Sequence, residues 1–440
     1  MKITLVEIAS NRKECINKDF MAGFGWAFNA GESVPARLIN MVKKHGERIP
    51  LMSFGYLASI FLKAGHQVCF AMDPSRITGQ DLVLIQSSMV DYKNEVKAAQ
   101  ILKKTNSAVG FIGTFSTYKP ELFLEHADFV ITGEPEQWAQ TIAATEHVSL
   151  KGVLHSEPIM DLDTLPFPCW DIFPWREFSY IPAIRHKPFF PILASRGCLF
   201  HCKYCPYPAF YDYRKRGVDA VIEEIQHLQK HHQMQGFLFR DPLFTADQNR
   251  THTFLDTLLK KNIKAVWACE TRLDFLNPPL LDRMYQAGCR VINVGIESSS
   301  DALLKKTNRK TINTDKQQTI ITYADKIGIR ITAFYILGLP GETPQSILQT
   351  CAYAKKLNTH VAQFFINTPF PGTEEYEEQK NNLIETDWER FDCYTPVLHS
   401  ATLPPQKLLK LKEYAFVSYY YRWSYLVAFV RRVIRALIKG

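Results

Sequence analysis

Short apolar runs alternate with longer segments of helical period through the first 155 residues. This alternation is typical of an open parallel sheet covered by helices. Residues Ser53–Ala64 have the helical period, and Gly65 follows them as a C-terminal helix signal. We therefore predict a Rossmann-like domain over residues 1–155, with strands at Ile3–Ile8, Gln67–Ala71, Leu82–Ile85, Ala108–Ile112 and Phe129–Ile131.

The pattern breaks where Pro166, Pro168 and Pro174 fall within one short segment. Proline has no backbone N–H and is excluded from helix interiors and central strands. We therefore predict a proline-rich linker over residues 156–185.

A second, longer alternation of apolar runs and helical segments follows the linker. Six strand–helix units predict a partial (β/α)6 TIM-type barrel over residues 186–400, so the predicted fold class is α/β throughout. The predicted strands are Phe190–Ala194, Phe237–Phe239, Ala265–Cys269, Val291–Gly295, Ile331–Leu337 and Ala362–Ile366. The predicted helices are Val218–His231, Asp247–Lys260, Pro278–Ala287, Thr314–Lys326 and Pro344–Lys356.

The C-terminal segment, residues 401–440, is predicted to be helical. In Trp423–Ile438 apolar side chains gather near one face and arginines are interspersed. Arg422 and the pair Arg431 and Arg432 interrupt any run long enough to cross a bilayer. Two interpretations remain open: a basic amphipathic helix lying on an anionic membrane surface, or a helix that packs its apolar face on its own domain.

The composition is that of a globular protein, with 46% hydrophobic and 22% charged residues and a net charge of +8. Basic residues are spread along the chain apart from a C-terminal cluster, so we expect no nucleic-acid partner. The N-terminal MKITLVEIAS lacks the features of a secretory signal, which predicts a cytoplasmic protein, peripheral to the inner face of the membrane if the C-terminal helix lies there. In the cytoplasm, the ten cysteines should stay reduced.

Three of the cysteines cluster in SRGCLFHCKYCPYP, directly after the first predicted barrel strand. Cys198, Cys202 and Cys205 can hold three irons of a 4Fe-4S cluster, and no fourth cysteine follows closely to bind the last iron. An open iron can bind S-adenosylmethionine (SAM) and cleave it to a radical. The alternatives are a zinc site with His201 as fourth ligand, an electron-carrying cluster and a non-catalytic metal-binding module.

The CxxxCxxC loop, with Tyr204 before its last cysteine, is similar to the signature of the radical SAM superfamily. FRDPLFTAD, ETRLD, AGCRVINVGIESSS, FYILGLPGET and NTPFPGTEEY follow in the order found in the branch with an N-terminal cobalamin-binding-type domain. The upstream GFIGTFST, DFVITGEPE and DLDTLPFP resemble that branch as well.

The resemblance implies three cofactors, namely a 4Fe-4S cluster, SAM and cobalamin, and a low-potential electron donor such as flavodoxin or ferredoxin. The expected reaction is methylation of an unactivated carbon in a small-molecule or lipid substrate. Cyclisation, bond formation or rearrangement without methyl transfer is the alternative.

Parallel barrels gather their active sites at the carboxyl ends of their strands, where several polar residues of this chain are predicted to lie. By resemblance, Tyr204 lies near the adenine of SAM, and Glu297 and Ser298 contact its ribose, unless they make a barrel-closing hydrogen bond. Glu270 is a further predicted SAM contact at a strand end. Arg272 is predicted on the SAM carboxylate, or in a salt bridge with Glu270, and Asp241 on the amino group, or capping the helix near Asp247. Gly338 is predicted beside the adenine, or in a turn that needs positive φ.

Cobalamin would lie at the strand ends of the first domain, since ligands of open α/β sheets bind there. The candidate residues could equally form ordinary strand-to-helix loops, and no Asp-x-His-x-x-Gly loop accompanies them. They are Ser87, Ser88, Gly113, Thr114, Gly133 and Glu134.

Overall fold

The computed structural model describes residues 1–44, 47–145 and 149–439, with side chains described as far as residue 432. Its N-terminal part contains nine strands, β1 Lys2–Val6, β2 Cys15–Asn17, β3 Trp26–Phe28, β4 Glu47–Arg48, β5 Gln67–Ala71, β6 Leu82–Gln86, β7 Ala108–Ile112, β8 Phe129–Gly133 and β9 Gly152–Ser156. Its helices are α1 Val34–Lys44, α2 Met52–Lys63, α3 Tyr92–Leu102, α4 Thr114–Tyr118, α5 Pro120–Leu124 and α6 Pro135–Ala144.

The first sheet has the order β5-β1-β6-β7-β8-β9, and every neighbouring pair is parallel. All five residues of β6 are buried, because helices cover both faces of the sheet. The order reverses between β1 and β6, which is the position at which doubly wound sheets bind ligands. The predicted Rossmann-like fold is therefore confirmed, although the sequence pattern missed the edge strand β9.

An insert of residues 15–28, which the sequence pattern also missed, follows β1. It contains the antiparallel strands β2 and β3. The carbonyl of Phe24 accepts a hydrogen bond from Met89 N at 2.9 Å, just past the end of β6. The ammonium of Lys18 lies 2.8 Å from Asp91 and 2.7 Å from Glu95. The insert thus covers the carboxyl edge of the first sheet.

The second part of the chain contributes nine more strands, β10 Ser179–Tyr180, β11 Phe189–Ile192, β12 Ser195–Arg196, β13 Arg214–Lys215, β14 Gly236–Phe239, β15 Val266–Thr271, β16 Cys289–Glu297, β17 Arg330–Leu337 and β18 Val361–Ile366. Its helices are α7 Tyr207–Phe210, α8 Val218–His232, α9 Gln248–Lys260, α10 Pro278–Gln286, α11 Asp301–Lys306, α12 Thr314–Ile327, α13 Pro344–Leu357, α14 Glu374–Gln379, α15 Pro405–Tyr420 and α16 Trp423–Lys439.

Six of these strands form one parallel sheet in chain order, β11-β14-β15-β16-β17-β18, as expected for a partial barrel. Exposure alternates along β17, where Ile331, Ala333, Tyr335 and Leu337 are buried and the residues between them are only partly buried. The buried set packs under the covering helices. The other set faces the barrel interior and leaves space there.

The predicted linker is packed into the core and is not a free tether. Trp170 is fully buried, and its ring lies 5.6 Å from that of Phe173 and 5.8 Å from that of Phe178. The residue boundaries drawn for the four regions stay predictions.

The C-terminal helices pack differently from each other. Helix α15 is anchored on the barrel by Phe416, whose ring lies 5.3 Å from that of Phe364. In α16, the predicted apolar face is exposed as far as its side chains are described: Leu426, Phe429 and Val430 are 42–54% accessible. The helix packs through Tyr425, Ala428 and Arg432 instead. The prediction that α16 packs its apolar face on its own domain is therefore wrong for these residues. Within the described ranges, no helix combines the length and apolar character needed to cross a bilayer.

Candidate active site

The three clustered cysteines lie on the loop between β12 and α7. Gly197 precedes them with φ +79°, and a Cβ there would lie 2.5 Å from the carbonyl oxygens of Tyr211 and Asp212. Only glycine therefore allows this close approach of two backbone segments. Cys198, Cys202 and Cys205 all line one cavity of about 180 Å³, which we call the cluster cavity.

The surroundings of the thiols are mostly apolar. Burial raises the pKa of Cys198 and of Cys205, so the free thiols stay protonated, whereas iron coordination would deprotonate them. Arg309 Nη1 lies 4.0 Å from Cys202 Sγ and supplies positive charge beside it. His201, the zinc ligand considered above, is exposed and does not line the cavity.

Among the side chains that the structure describes, no three from His, Cys, Asp or Glu converge on a point that could hold a single metal ion. The cysteines share a wall of the cluster cavity instead. A cluster has several irons at separate positions, so the three thiols need to share a wall and need not converge on one atom. The donor set therefore fits an iron–sulfur cluster.

Arg272, which follows β15, has an unsatisfied donor at the cluster cavity. Its Nε and Nη2 donate to Asp274 at 2.9 and 3.0 Å, and its guanidinium lies 4.5 Å from the ring centre of Phe200. Nη1 is buried and has no hydrogen-bond partner among the described residues. The expected salt bridge with Glu270 is absent, because Asp274 takes its place. A bound carboxylate would satisfy Nη1.

Glu297 ends β16 in an unusual conformation. Its φ is +65°, and the pairing with β17 shifts register between Gly295 and Glu297. Non-glycine residues rarely adopt positive φ, and such strain is concentrated at functional sites. The bulge leaves the carboxylate lining the cluster cavity, 3.4 Å from Arg309 Nη2. Burial is the main cause that raises the pKa of Glu297, and also that of Tyr204, which lines the same cavity.

Glu270 faces two cavities. It lines the cluster cavity and a second, larger cavity inside the barrel. Its Oε1 lies 3.7 Å from Arg240 Nη1, and burial raises its pKa.

The structure keeps Asp241 away from the cluster cavity. Its carboxylate is fully buried and accepts hydrogen bonds from Ala194 N at 2.8 Å and Ser195 Oγ at 2.5 Å. It therefore ties β14 to the start of the cysteine loop. The predicted contact of Asp241 with the SAM amino group stays a prediction. The alternative of a helix cap is wrong, since Asp247 caps α9 by accepting from Arg250 N.

Ser298 and Gly338 also lie outside the cluster cavity's wall. Ser298 Oγ accepts from Ser300 N at 3.1 Å, within the turn that leads to α11. Gly338 has φ +86°, and a Cβ there would lie 2.9 Å from the Leu408 side chain. The alternative of a turn that needs positive φ therefore describes Gly338.

Several wall residues were missed by sequence reasoning. Arg309 follows a helix, not a strand, so strand-end logic could not find it. Phe20 and Met21 come from the insert and carry no motif. Only the cavity itself reveals these residues.

The six residues predicted to bind cobalamin form contacts within the protein. Ser88 Oγ donates to Glu95, Thr114 Oγ1 donates to the carbonyl of Ala22, and Gly133 N donates to Thr117. Ser87 is likewise fully buried, and Gly113 closely approaches it.

Glu134 forms ion pairs with Arg196 and Arg214, which flank the cysteine loop. None of the six residues lines either cavity. In this conformation they do not form an open cobalamin pocket.

Comparison with known proteins agrees with this site. Residues 192–354, which include the cysteine loop, match the model of the radical SAM superfamily. A radical SAM domain implies a 4Fe-4S cluster and SAM as cofactors, and therefore an enzyme.

Relatives and solved structures extend the likeness beyond the cysteine loop. An uncharacterized methyltransferase of Pyrococcus horikoshii is 28% identical, over 82% of this chain and 84% of its own. The anaerobic magnesium-protoporphyrin IX monomethyl ester cyclase of Rubrivivax gelatinosus is 27% identical, over 72% and 61%. The structure of the radical SAM methyltransferase TsrM from Kitasatospora setae, with cobalamin and a 4Fe-4S cluster bound, covers 86% of this chain and 74% of its own, with a TM-score of 0.62 and 14% identity. The fold of both halves is thus shared with TsrM.

Proposed function

We propose that this radical SAM enzyme methylates an unactivated carbon of a small-molecule or lipid substrate, with cobalamin as a further cofactor and flavodoxin or ferredoxin as electron donor. One observation carries the radical chemistry of the proposal: the cluster cavity brings together three thiols, the unpaired Arg272 donor and the strained Glu297. The relatives named as methyltransferases support the choice of reaction.

The chain's own residues bind and orient. Cys198, Cys202 and Cys205 would hold the cluster, which with SAM supplies one-electron cleavage to a carbon radical. Arg272 Nη1 would pair with the SAM carboxylate, and Glu297 would accept hydrogen bonds from its ribose hydroxyls. Apolar residues of the cavity wall exclude water, which protects a reactive radical.

Cobalamin binding is proposed from the fold shared with TsrM. The six predicted residues do not form an open pocket, because the insert covers the sheet edge at Lys18, Ala22 and Phe24. Cobalamin at that edge therefore requires the insert to move.

Cyclisation without methyl transfer is the second candidate. The cyclase of Rubrivivax gelatinosus is nearly as similar to this chain as the methyltransferase of Pyrococcus horikoshii. The residues of the cluster cavity serve radical generation and do not separate the two reactions.

The test is anaerobic reconstitution of the full chain with iron, sulfide and hydroxocobalamin, followed by reduction in the presence of SAM. We expect the absorption of a bound 4Fe-4S cluster, retained cobalamin and formation of 5′-deoxyadenosine. Transfer of label from methyl-labelled SAM to cobalamin would support methylation. A cluster and 5′-deoxyadenosine without retained cobalamin would favour the second candidate. The absence of both the cluster and 5′-deoxyadenosine would contradict radical chemistry.

We also propose peripheral contact with an anionic membrane through α1 and α16. Both helices expose apolar side chains, including Val34, Leu38 and Val42 in α1. The two helices are neighbours, since Tyr421 OH donates to Pro35 O at 3.2 Å just before α16. Basic residues in the same helices complement anionic lipid.

Sedimentation with phosphatidylglycerol vesicles, compared with phosphatidylcholine vesicles, tests this contact. Leu426→Glu with Val430→Glu should reduce binding to the anionic vesicles, whereas the control Ile101→Glu, an exposed apolar position on α3, should not. Equal binding of all variants would overturn the proposed contact.

A further inference from the structure

The barrel encloses a second cavity of about 760 Å³, which we call the barrel cavity. Inward-facing residues of β17 and β18 line it from one end of each strand toward the other, namely Arg330, Thr332, Phe334, Val361, Gln363 and Phe365. The barrel cavity therefore runs along the strand direction from the amino ends of the strands toward the cluster cavity.

The two cavities adjoin at an aromatic boundary. Phe20, Phe334 and Phe365 line both, and their ring centres lie 5.8–6.2 Å apart. Glu270 and Asn293 also line both cavities. A molecule in the barrel cavity would therefore end beside the three cysteines.

The far end of the barrel cavity carries unpaired positive charge. Six cationic side chains line the cavity. Lys43, Arg240 and Arg432 pair with acids. Arg185, Arg290 and Arg330, which we call the arginine cluster, have no acidic side chain within 4.0 Å among the described residues.

The three arginines are close enough to affect one another. Burial, with the nearby charges of Arg185 and Arg290, lowers the pKa of Arg330 to about 10. Arg290 donates only to backbone carbonyls, at 2.7 and 2.9 Å, and its guanidinium lies 4.0 Å from the ring centre of Tyr285. Arg290 and Arg330 are partly buried and Arg185 is exposed. Unpaired charge in partly buried positions is costly unless a counter-ion binds.

Between the arginine cluster and the aromatic boundary, the walls are largely apolar. Trp26 and Phe28 come from the insert, and Phe416, Tyr420 and Tyr425 come from the C-terminal helices. Large apolar cavities with a few polar groups at one end bind apolar ligands and fix their orientation. This cavity has the arginine cluster at the end far from the cysteines, and Glu270 and Asn293 where it meets the cluster cavity.

We propose that the barrel cavity binds an amphipathic anion, with its carboxylate or phosphate on the arginine cluster and its extended apolar body reaching the aromatic boundary. The inference rests on the proposed function, because it makes this molecule the substrate whose apolar end meets the radical. The mouth of the barrel cavity lies between α1 and α16, since Leu38, Val42, Leu426 and Phe429 line it. A bilayer or bulk water could supply the same chemistry.

The test uses the reconstituted full-length enzyme and hexadecyl phosphate, with hexadecanol as the uncharged probe. Binding is followed by tryptophan fluorescence, since Trp26 lines the barrel cavity. We expect Arg330→Gln to weaken hexadecyl phosphate binding by about 10- to 100-fold, the usual loss for a charge-assisted pair, and to leave hexadecanol binding unchanged. Arg330→Lys should retain part of the affinity. The control Arg76→Gln, at an exposed position, should behave as wild type.

Two results would overturn the proposal: equal affinity for the phosphate and the alcohol, or unchanged phosphate affinity in Arg330→Gln. Thermal unfolding of Arg330→Gln checks that it folds, and Arg330→Lys provides the comparison if it does not. Probe added as dilute monomer tests a soluble source, and probe carried in phosphatidylcholine vesicles tests a bilayer source. Binding from either source supports the proposal, and binding from neither contradicts it.

Failure of the proposed function can be told apart from failure of this inference. SAM cleavage by the wild-type enzyme without probe reports the cluster cavity alone, so 5′-deoxyadenosine formed without any probe binding would contradict the ligand site and leave the radical mechanism standing. If wild type binds the probe but forms no 5′-deoxyadenosine, the radical mechanism fails and the ligand site stands.

Discussion

The carboxyl edge of the first sheet and the carboxyl end of the barrel are built in the same way, but only the second has polar groups facing a cavity. In both, parallel strands deliver polar residues to one edge. At the first sheet, Ser88, Thr114 and Glu134 all have partners within the protein. At the barrel, the cysteines line a cavity and Arg272 keeps an unsatisfied donor.

The difference teaches that polar residues after strand ends do not by themselves mark a ligand site. At the edge of the first sheet, the insert and the arginines around the cysteine loop form hydrogen bonds and ion pairs with the polar groups. At the barrel, Asp241 accepts hydrogen bonds from Ala194 and Ser195, whereas the carboxylate of Glu297 lines the cluster cavity. A polar atom is available to a cofactor only if no protein group already takes its hydrogen bonds or its ion pair.

The largest expected effect comes from a substitution in the cluster cavity that leaves the edge of the first sheet unchanged. Cys202→Ala removes one cluster ligand, so 5′-deoxyadenosine formation should fall below detection while the free energy of unfolding drops by only about 1 kcal/mol. Anaerobic chromatographic assay of 5′-deoxyadenosine with a denaturation curve measures both. Cys351→Ala, at a buried cysteine in α13 that lines neither cavity, should keep its cluster and its activity. Product formation by Cys202→Ala would refute the role of the loop.

The next largest effect comes from removing an ion pair at the edge of the first sheet. Glu134→Gln leaves the buried Arg214 without its ion-pair partner, which should destabilise the fold by about 3 to 5 kcal/mol. Urea denaturation measures it. The control is Glu177→Gln, whose exposed pair with Arg48 should contribute less than about 1 kcal/mol. A loss in Glu134→Gln no larger than in the control would show that the edge is not held by this network.

A pH-dependent effect tests a buried carboxyl beside the barrel mouth. Burial raises the pKa of Glu342 from 4.5 to about 7, while it accepts hydrogen bonds from Gly338 N and Leu339 N. Because the folded pKa exceeds the unfolded one, the stability contribution is complete below pH 4.5 and is lost as the pH rises toward 7.

Glu342→Gln removes this titration, so its stability relative to wild type should rise by about 2 to 3 kcal/mol across that window. Urea denaturation at several pH values measures the difference. Glu121→Gln, at an exposed position, should show no such trend. A flat difference for Glu342→Gln would mean that Glu342 ionises normally.

The smallest expected effect comes from Arg272 in the cluster cavity. Arg272→Gln removes the unsatisfied donor, so SAM affinity of the reconstituted enzyme should fall by about 1 to 3 kcal/mol. Isothermal titration measures it, and the cluster content should not change. The control is Arg176→Gln, at an exposed arginine that also stacks on an aromatic ring. Unchanged SAM affinity in Arg272→Gln would assign the SAM carboxylate to another group.

Regular elements were largely predictable because their signals are local. The strand Gln67–Ala71 was predicted to the residue, and the barrel strands lie within a few residues of their predicted positions. The insert could not be predicted, since its short strands carry no periodic pattern. Arg309 and the arginine cluster come from unrelated points of the chain, so no local signal connects them.

The sequence by itself determined the two α/β halves and the cysteine loop, because strand burial, helix period and ligand spacing are properties of adjacent residues. Only the tertiary structure decided that the polar residues face a cavity at the carboxyl end of the barrel and are paired within the protein at the edge of the first sheet. Hydrogen bonds and ion pairs between distant segments close the first sheet at Glu134 and Thr114. Packing between distant strands and helices leaves two adjoining cavities, one lined by the cysteines and the other by three arginines that have no acidic partner among the described residues.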